Sequence, residues 1–153
     1  LGYKCNMTDI CAGIGLHQLA KLNMFNLKRE KFAKIYDESF KNHPGFKIPV
    51  IKEYSNSSRH LYPLLLNLEY FKIERDSFID VLKEYNVGTS VLFMPLHLHS
   101  YYKKSFGYSY GDFPISENIF DRIICLPISP KLSEDTINKV AETILYISEK
   151  IKK

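Results

Sequence analysis

The stretch that decides the fold is SEDTINKVAETILYISEKI, residues 133–151. Ser133 is a suitable N-cap, and Glu134 and Asp135 place negative charge in the first turn, where the helix dipole favours it. The apolar residues that follow recur at steps of three and four, which is the spacing of one helix face: Ile137, Val140, Ala141, Ile144, Ile147 and Ile151. The stretch therefore predicts an amphipathic helix with one face for packing.

Short apolar runs before this helix predict the sheet on which it packs. Residues 60–68, HLYPLLLNL, are almost continuously apolar, which is typical of a strand that is central or covered on both faces, although their proline speaks against a strand. Residues 87–93 and 123–126 predict two more core strands. Residues 46–51 predict a short edge strand, because their proline removes one donor from a ladder.

Two helices are expected before the first strand. Thr8 is a suitable N-cap for the first, and residues 26–40 predict a second, which the sequence NHPG at 42–45 ends. Shorter helices are predicted over 75–85, with Asn86 as a left-handed terminator, over 98–106, and from Ser116 onward. Helices and strands in this order indicate an α+β fold of two layers, with helices packed on a small sheet.

Composition excludes several classes of protein. The chain has 153 residues, 45% hydrophobic and 25% charged, as expected of one globular domain. No apolar run approaches the roughly 18 residues that a membrane span needs. The net charge of +4 is small and spread along the chain, and only YYKK at 101–104 combines basic and aromatic residues. We therefore expect neither a membrane nor a nucleic-acid partner.

Few residues lie in the patterns that are typical of catalytic or metal sites. Cys5, Cys11 and Cys125 are an odd set without metal-binding spacing; the last two lie in apolar patterns and are expected to be buried thiols in a reducing compartment. His97 and His99 lack a third ligand, so no metal site is predicted. No glycine-rich phosphate loop and no nucleophile motif is present.

Four stretches, in register along nearly the whole chain, resemble the DegT/DnrJ/StrS family of sugar aminotransferases. The first is LGYKCNMTDI at 1–10, followed by a helix of small residues and Gln18-Leu19. The second is SSRHLY at 57–62. The other two are Val87-Gly88-Thr89 with Pro95-Leu96-His97-Leu98 and Tyr101-Tyr102, and GDFP at 111–114 with Arg122, Leu126-Pro127, Pro130 and Leu132. The chain is therefore similar to the C-terminal part of such a protein.

The resemblance implies a fold-type I enzyme that uses pyridoxal phosphate to move an amino group, usually from glutamate, onto a nucleotide-linked keto sugar. Residues 1–25 would lead from an upstream large domain, and residues 26–153 would form the small C-terminal domain. Such enzymes are cytoplasmic homodimers with the active site at the subunit interface. The cofactor's lysine would lie upstream, so no catalytic residue is expected here and the chain alone is expected to be inactive.

The resemblance also implies site residues. Asn6, or Lys4 in its place, would reach the phosphate of the cofactor bound by the other subunit; alternatively, Asn6 is an ordinary helix cap. His97 would contact sugar or nucleotide from its loop. His60 is either a substrate ligand or a structural strand histidine, and Tyr102 either stacks on the base or packs. Leu92 stands where the family often has a histidine, which makes the pocket edge more apolar.

Two other functions remain open at this point. A pyridoxal-phosphate sugar dehydratase of the same family differs from an aminotransferase in the upstream lysine position, which is absent from this chain. A free-standing binding or dimerisation module without catalysis is the second alternative. The module predicts a self-sufficient surface, whereas part of a larger enzyme predicts an exposed apolar patch.

Overall fold

A computed structural model describes residues 5–153 and shows an α+β fold, as the sequence predicts. In chain order the elements are α1 (Asp9–Phe40), β1 (Phe46–Lys47), β2 (Tyr62–Leu66), α2 (Arg75–Glu84), a 3₁₀ turn (Leu96–Leu98), α3 (Ser100–Phe106), α4 (Pro114–Arg122), β3 (Ile123–Leu126) and α5 (Glu134–Ile151).

The sheet is antiparallel with the order β1-β2-β3. The central position predicted for residues 60–68 is therefore confirmed, and the edge strand at 46–51 is shorter than predicted. Along β2 the side chains of Tyr62, Leu64 and Leu66 are buried while those between them are partly exposed. One face of the sheet thus packs against the helices, which is the two-layer arrangement.

Pro63 lies in the central strand without leaving a gap in the hydrogen bonding. It pairs with Cys125, whose own N–H and C=O bond to Ser90 at 2.7 and 3.2 Å and so point away from β2. Pro63 is therefore at a non-hydrogen-bonded position of the ladder. On its other side β1 pairs only with Leu65 and Leu66. Pro63 therefore needs no backbone N–H for hydrogen bonding to β1 or β3.

The strand predicted over residues 87–93 is wrong. This segment touches the sheet through one isolated bridge, between Ser90 and Cys125. Val87 is buried, but Phe93 is 83% exposed. An apolar run of strand length indicates burial only if a partner covers it, and here only its beginning is covered.

The N-terminal region forms one helix of 32 residues, not two. Oγ1 of Thr8 accepts a hydrogen bond from the Cys11 amide, as expected of an N-cap, and no proline or glycine interrupts the helix between the two predicted segments. Phe32, Tyr36 and Phe40 of α1 are buried, all in its C-terminal third. Its N-terminal half has exposed apolar side chains, among them Ile10, Ile14, Leu16 and Leu19.

The helix α5 completes the core. Oγ of Ser133 accepts from the Thr136 amide at 3.1 Å, so the predicted cap is confirmed. The apolar face that the spacing predicts is buried at Ile137, Val140, Ala141, Ile144 and Ile147. Fully burying one large aliphatic side chain of this kind contributes roughly 1.5–3 kcal/mol. Asn86 has φ of 59°, as predicted for the terminator of α2.

Candidate functional site

A cavity of about 450 Å³ brings together two of the residues predicted to bind substrate, His97 and Tyr102. Its wall is mainly apolar and aromatic. The remaining lining residues are Pro95, Leu96, Tyr108, Phe113 and Ser116. Cavities of this size with few polar groups are typical of small-molecule sites.

Local backbone structure positions these side chains. The Leu98 amide bonds to the Pro95 carbonyl at 2.9 Å and forms the 3₁₀ turn that carries His97. Gly107 ends α3 with φ of 72°, in the left-handed region that glycine adopts without strain. The chain then returns through residues 108–113, and Pro114 begins α4. The 3₁₀ turn and the start of α4 therefore both contribute to the wall of one cavity.

His97 is 6% exposed and pairs with a residue that sequence reasoning missed, Glu117. The Nε2 of His97 lies 2.7 Å from Oε1 of Glu117. Glu117 also accepts from the Gly111 amide at 2.9 Å and from the Phe113 amide at 3.2 Å. Burial raises the pKa of Glu117, but the hydrogen bonds from His97, Gly111 and Phe113 together hold that pKa below its usual value. Glu117 is therefore a buried carboxylate at neutral pH.

The sequence contains no capping box that predicts Glu117. Glu117 follows the N-cap residue Phe113 by four positions, and the capping-box position, three after the cap, is Ser116. Phe113 is the N-cap of α4, and Glu117 bonds to its amide. The pairing with His97, twenty residues earlier, leaves no local pattern in the sequence.

Aromatic rings continue from the cavity along the surface. Tyr102 stacks on Phe106 with ring centroids 5.9 Å apart, and Phe106 stacks on Tyr108 at the same distance. Phe113 contacts Tyr108 at 5.5 Å and the ring of His97 at 4.7 Å. These rings form a wall suited to the apolar face of a planar or sugar ring.

His60 is not among the lining residues of this cavity. It is exposed and lies in the loop before β2, so it is not a buried strand histidine either. Its neighbour Arg59 has φ of 47° and donates to Asp37 at 3.1 Å. Tyr62 donates to the same carboxylate at 2.8 Å. This cluster, also missed from the sequence, joins the loop before β2 to α1.

The residues predicted to reach the cofactor lie at the N-terminal end. Asn6 is exposed and precedes α1. The N-cap of α1 is Thr8, so Asn6 does not take the alternative role of helix cap. Lys4 lies outside the described residues.

The described residues do not form a complete pyridoxal-phosphate site. Every lysine between residues 5 and 153 is exposed, whereas a lysine that bonds to the cofactor aldehyde is activated in a desolvated pocket. Asn6 is exposed and offers an amide N–H₂ suited to an anion.

The thiols are only partly as predicted. Cys125 is buried, and its burial raises the pKa of the thiol to about 11, although the Leu92 amide bonds to it. Cys11 is exposed, so the prediction of a buried thiol is wrong there. The reason is that Cys11 lies on the part of α1 that no other described residue covers. Within residues 5–153, no group of three potential metal ligands occurs.

None of the helices between residues 5 and 153 combines the length and the apolar character needed to cross a bilayer.

Comparison with known proteins gives a consistent result. Residues 1–145 match the model of the DegT/DnrJ/EryC1/StrS aminotransferase family. The spore coat polysaccharide biosynthesis protein SpsC of Bacillus subtilis is 40% identical over 144 residues, which are 94% of this chain and 37% of SpsC. The UDP-4-amino-4,6-dideoxy-N-acetyl-beta-L-altrosamine transaminase of Campylobacter jejuni is 32% identical over 153 residues, which are 100% of this chain and 40% of the transaminase.

A solved structure shows the same fold. Spr1654 of Streptococcus pneumoniae, in its PLP-form, has a TM-score of 0.87 and 32% sequence identity. The match covers 97% of this chain and 38% of that protein. The chain thus spans about two-fifths of the length of the proteins it matches.

Proposed function

Because this chain belongs to the DegT/DnrJ/EryC1/StrS aminotransferase family, we propose that it is the C-terminal part of a pyridoxal-phosphate enzyme that transfers an amino group from glutamate to a nucleotide-linked keto sugar. The observation that carries the proposal is the alignment of all 153 residues with a UDP-sugar transaminase. The agreement of the fold with a structure solved in its PLP-form supports it.

The proposal assigns the chain a place in a larger assembly. Residues 1–25 lead from an upstream domain, residues 26–153 form the small domain, and two copies of the whole protein form a cytoplasmic homodimer. Ile10 and Leu16 on α1 are 78% and 70% exposed, and Ile14 is 59% exposed. Apolar side chains in such a row are normally covered in a functional protein. This favours an incomplete surface over the self-sufficient surface of a free-standing module.

The proposal also assigns roles to individual residues. Asn6, or Lys4 in its place, donates to the phosphate of the cofactor held by the other subunit. His97 and Tyr102 contact the sugar nucleotide at their shared cavity, and His60, from its exposed loop, is a further substrate contact. No residue of this chain is assigned a covalent step.

Transamination is favoured over the dehydration of a sugar by the same family. The relative aligned over the entire chain is named a transaminase. The residue whose chemistry separates the two reactions lies upstream of Leu1. The roles assigned above to residues of this chain are therefore the same for transamination and for dehydration.

The proposal is tested first on the 153-residue chain. Mixed with pyridoxal phosphate, glutamate and a UDP-linked 4-keto sugar, it is expected to show no turnover. The reason is that none of the lysines among residues 5–153 lies in a desolvated pocket, where its amine would be activated. Sustained formation of an amino sugar by this chain alone would contradict the assignment of the chemistry to an upstream part.

A further inference from the structure

Glu117 is a buried charged group to which the proposed function gives no task. It is 2% exposed, and three donors converge on it from two segments of the chain. These are Nε2 of His97, from the 3₁₀ turn, and the amides of Gly111 and Phe113, from the loop before α4. Two segments that line the cavity are therefore joined through one carboxylate.

The pairing determines which nitrogen of His97 carries the proton. A carboxylate only accepts hydrogen bonds, so Nε2 of His97 is the donor in this 2.7 Å contact. In the neutral ring Nδ1 is then a hydrogen-bond acceptor. Fixing one ring nitrogen by a carboxylate is the usual way in which proteins set the tautomer and the orientation of a functional imidazole.

The other nitrogen of His97 is available to a ligand. Among residues 5–153, Nδ1 forms no hydrogen bond, and it is not among the buried side-chain atoms left without a partner. Solvent therefore reaches Nδ1, although the residue as a whole is buried. His97 is part of the cavity wall, so we take a ligand bound in the cavity as the partner of this acceptor.

We propose that Glu117 is a positioning residue, which orients His97 so that Nδ1 accepts a hydrogen bond from a hydroxyl or N–H group of the sugar nucleotide. This inference rests on the proposed function, since it assigns a ligand to the same cavity. The carboxylate acts through His97 and touches no ligand itself. Its bond to the Phe113 amide places the aromatic wall at the same time.

A double-mutant cycle on the complete gene product tests the inference. H97Q keeps an amide N–H that can donate to Glu117 and removes the acceptor at Nδ1. E117A removes the acceptor that holds Nε2 of His97, whereas E117Q is the conservative variant, since its amide oxygen at the Oε1 position can still accept from His97 and from both backbone amides. D121N is the matched control, because it removes a negative charge from the exposed face of α4, where Asp121 bonds only to Tyr110. The probe is UDP-N-acetylglucosamine, its dissociation constant is measured by calorimetry, and circular dichroism monitors the fold.

If Glu117 acts through His97, H97Q and E117A each raise the dissociation constant about tenfold, as the loss of one oriented hydrogen bond predicts, and E117Q restores most of the binding. The double variant is then no weaker than the weaker single variant, and D121N binds like the wild type. Weak binding of H97Q with normal binding of E117A would overturn the positioning role, as would two effects that multiply in the double variant of H97Q and E117A.

The same experiment gives a different result if the proposed function, and not the positioning role, is wrong. If the wild type does not bind the probe, the assignment of a UDP-sugar to this cavity is wrong, and the inference falls with it. If the wild type binds and H97Q binds equally well, the contact assigned to His97 is wrong while the family's reaction is untouched.

Discussion

Oδ2 of Asp37, on α1, lies 3.1 Å from Nη2 of Arg59, in the loop before β2. The other oxygen of the same carboxylate accepts from Tyr62 at 2.8 Å. Both side chains of the Arg59–Asp37 pair are largely buried, with 14% and 20% of their surface exposed. Because Arg59 has a left-handed backbone conformation, this ion pair holds a loop that would otherwise relax.

Replacing the Asp37 carboxylate therefore destabilises the domain. D37N is expected to lower the free energy of unfolding by about 1–3 kcal/mol, because it leaves Arg59 without its counter-ion and weakens the bond from Tyr62. Urea unfolding followed by circular dichroism measures the change. D80N, on the exposed face of α2, is the matched control and should stay within about 0.5 kcal/mol of the wild type. Equal stability of D37N and D80N would show that the cluster is dispensable.

The ionisation of Glu117 makes the stability of the domain depend on pH in the acidic range. Its pKa is depressed in the folded state, so the unfolded state takes up the proton first. The stabilisation is present above the unfolded pKa of about 4.3 and is lost as the pH falls through the lower folded value. Comparing the urea midpoint at about pH 7 and about pH 3.5, we expect a smaller acid-induced drop for E117Q than for the wild type. An identical drop in both proteins would mean that Glu117 does not contribute.

The three thiols differ in accessibility. Cys5 and Cys11 are exposed, whereas Cys125 is buried with a pKa raised to about 11. Iodoacetamide at about pH 8 should therefore alkylate two thiols rapidly, and the third only after unfolding, since the thiolate is the reactive form. Mass spectrometry counts the adducts, and C125A should be alkylated at the same two thiols, Cys5 and Cys11. Rapid addition of three groups to the folded wild type would contradict the burial of Cys125.

Two glycines give opposite predictions. A Cβ at Gly45 would lie 2.5 Å from Cζ of Phe71 and 2.8 Å from Cδ1 of Tyr70, so G45A should destabilise by about 1–3 kcal/mol through overpacking. A Cβ at Gly13, within α1, meets no atom within 4 Å, and G13A should stabilise the isolated chain by about 1 kcal/mol through helix propensity. Thermal unfolding of both variants checks the pair, and a stabilised G45A would show that the contact with Phe71 is misplaced.

The elements predicted correctly are those whose signals are local. The cap and apolar face of α5, the strand β3 and the terminator Asn86 each depend on residues within a few positions of one another. The long-range pairs were not predictable in this way. Asp37 and Arg59 are 22 residues apart, and His97 and Glu117 are 20 apart, so no periodicity relates them.

Two errors have a common physical origin. The pattern predicts burial for residues 87–93 and for Cys11 because both lie in apolar stretches, yet Phe93 and Cys11 are exposed. The hydrophobic pattern predicts which face of an element is apolar, but not whether the residues that cover this face lie in the same stretch of chain. The resemblance to the family supplied His97 and Tyr102, which the fold brings to one cavity.

The most direct test of the central claim is an assay of the complete gene product beside the 153-residue chain. Both are supplied with pyridoxal phosphate, glutamate and a UDP-linked 4-keto sugar, and the formation of 2-oxoglutarate is followed. We predict catalytic formation of 2-oxoglutarate by the complete gene product, dependent on the keto sugar, and none by the 153-residue chain. The contrary result is a complete gene product that binds the cofactor but forms no 2-oxoglutarate when the keto sugar is supplied. That result would contradict the assignment of this chain to a sugar aminotransferase.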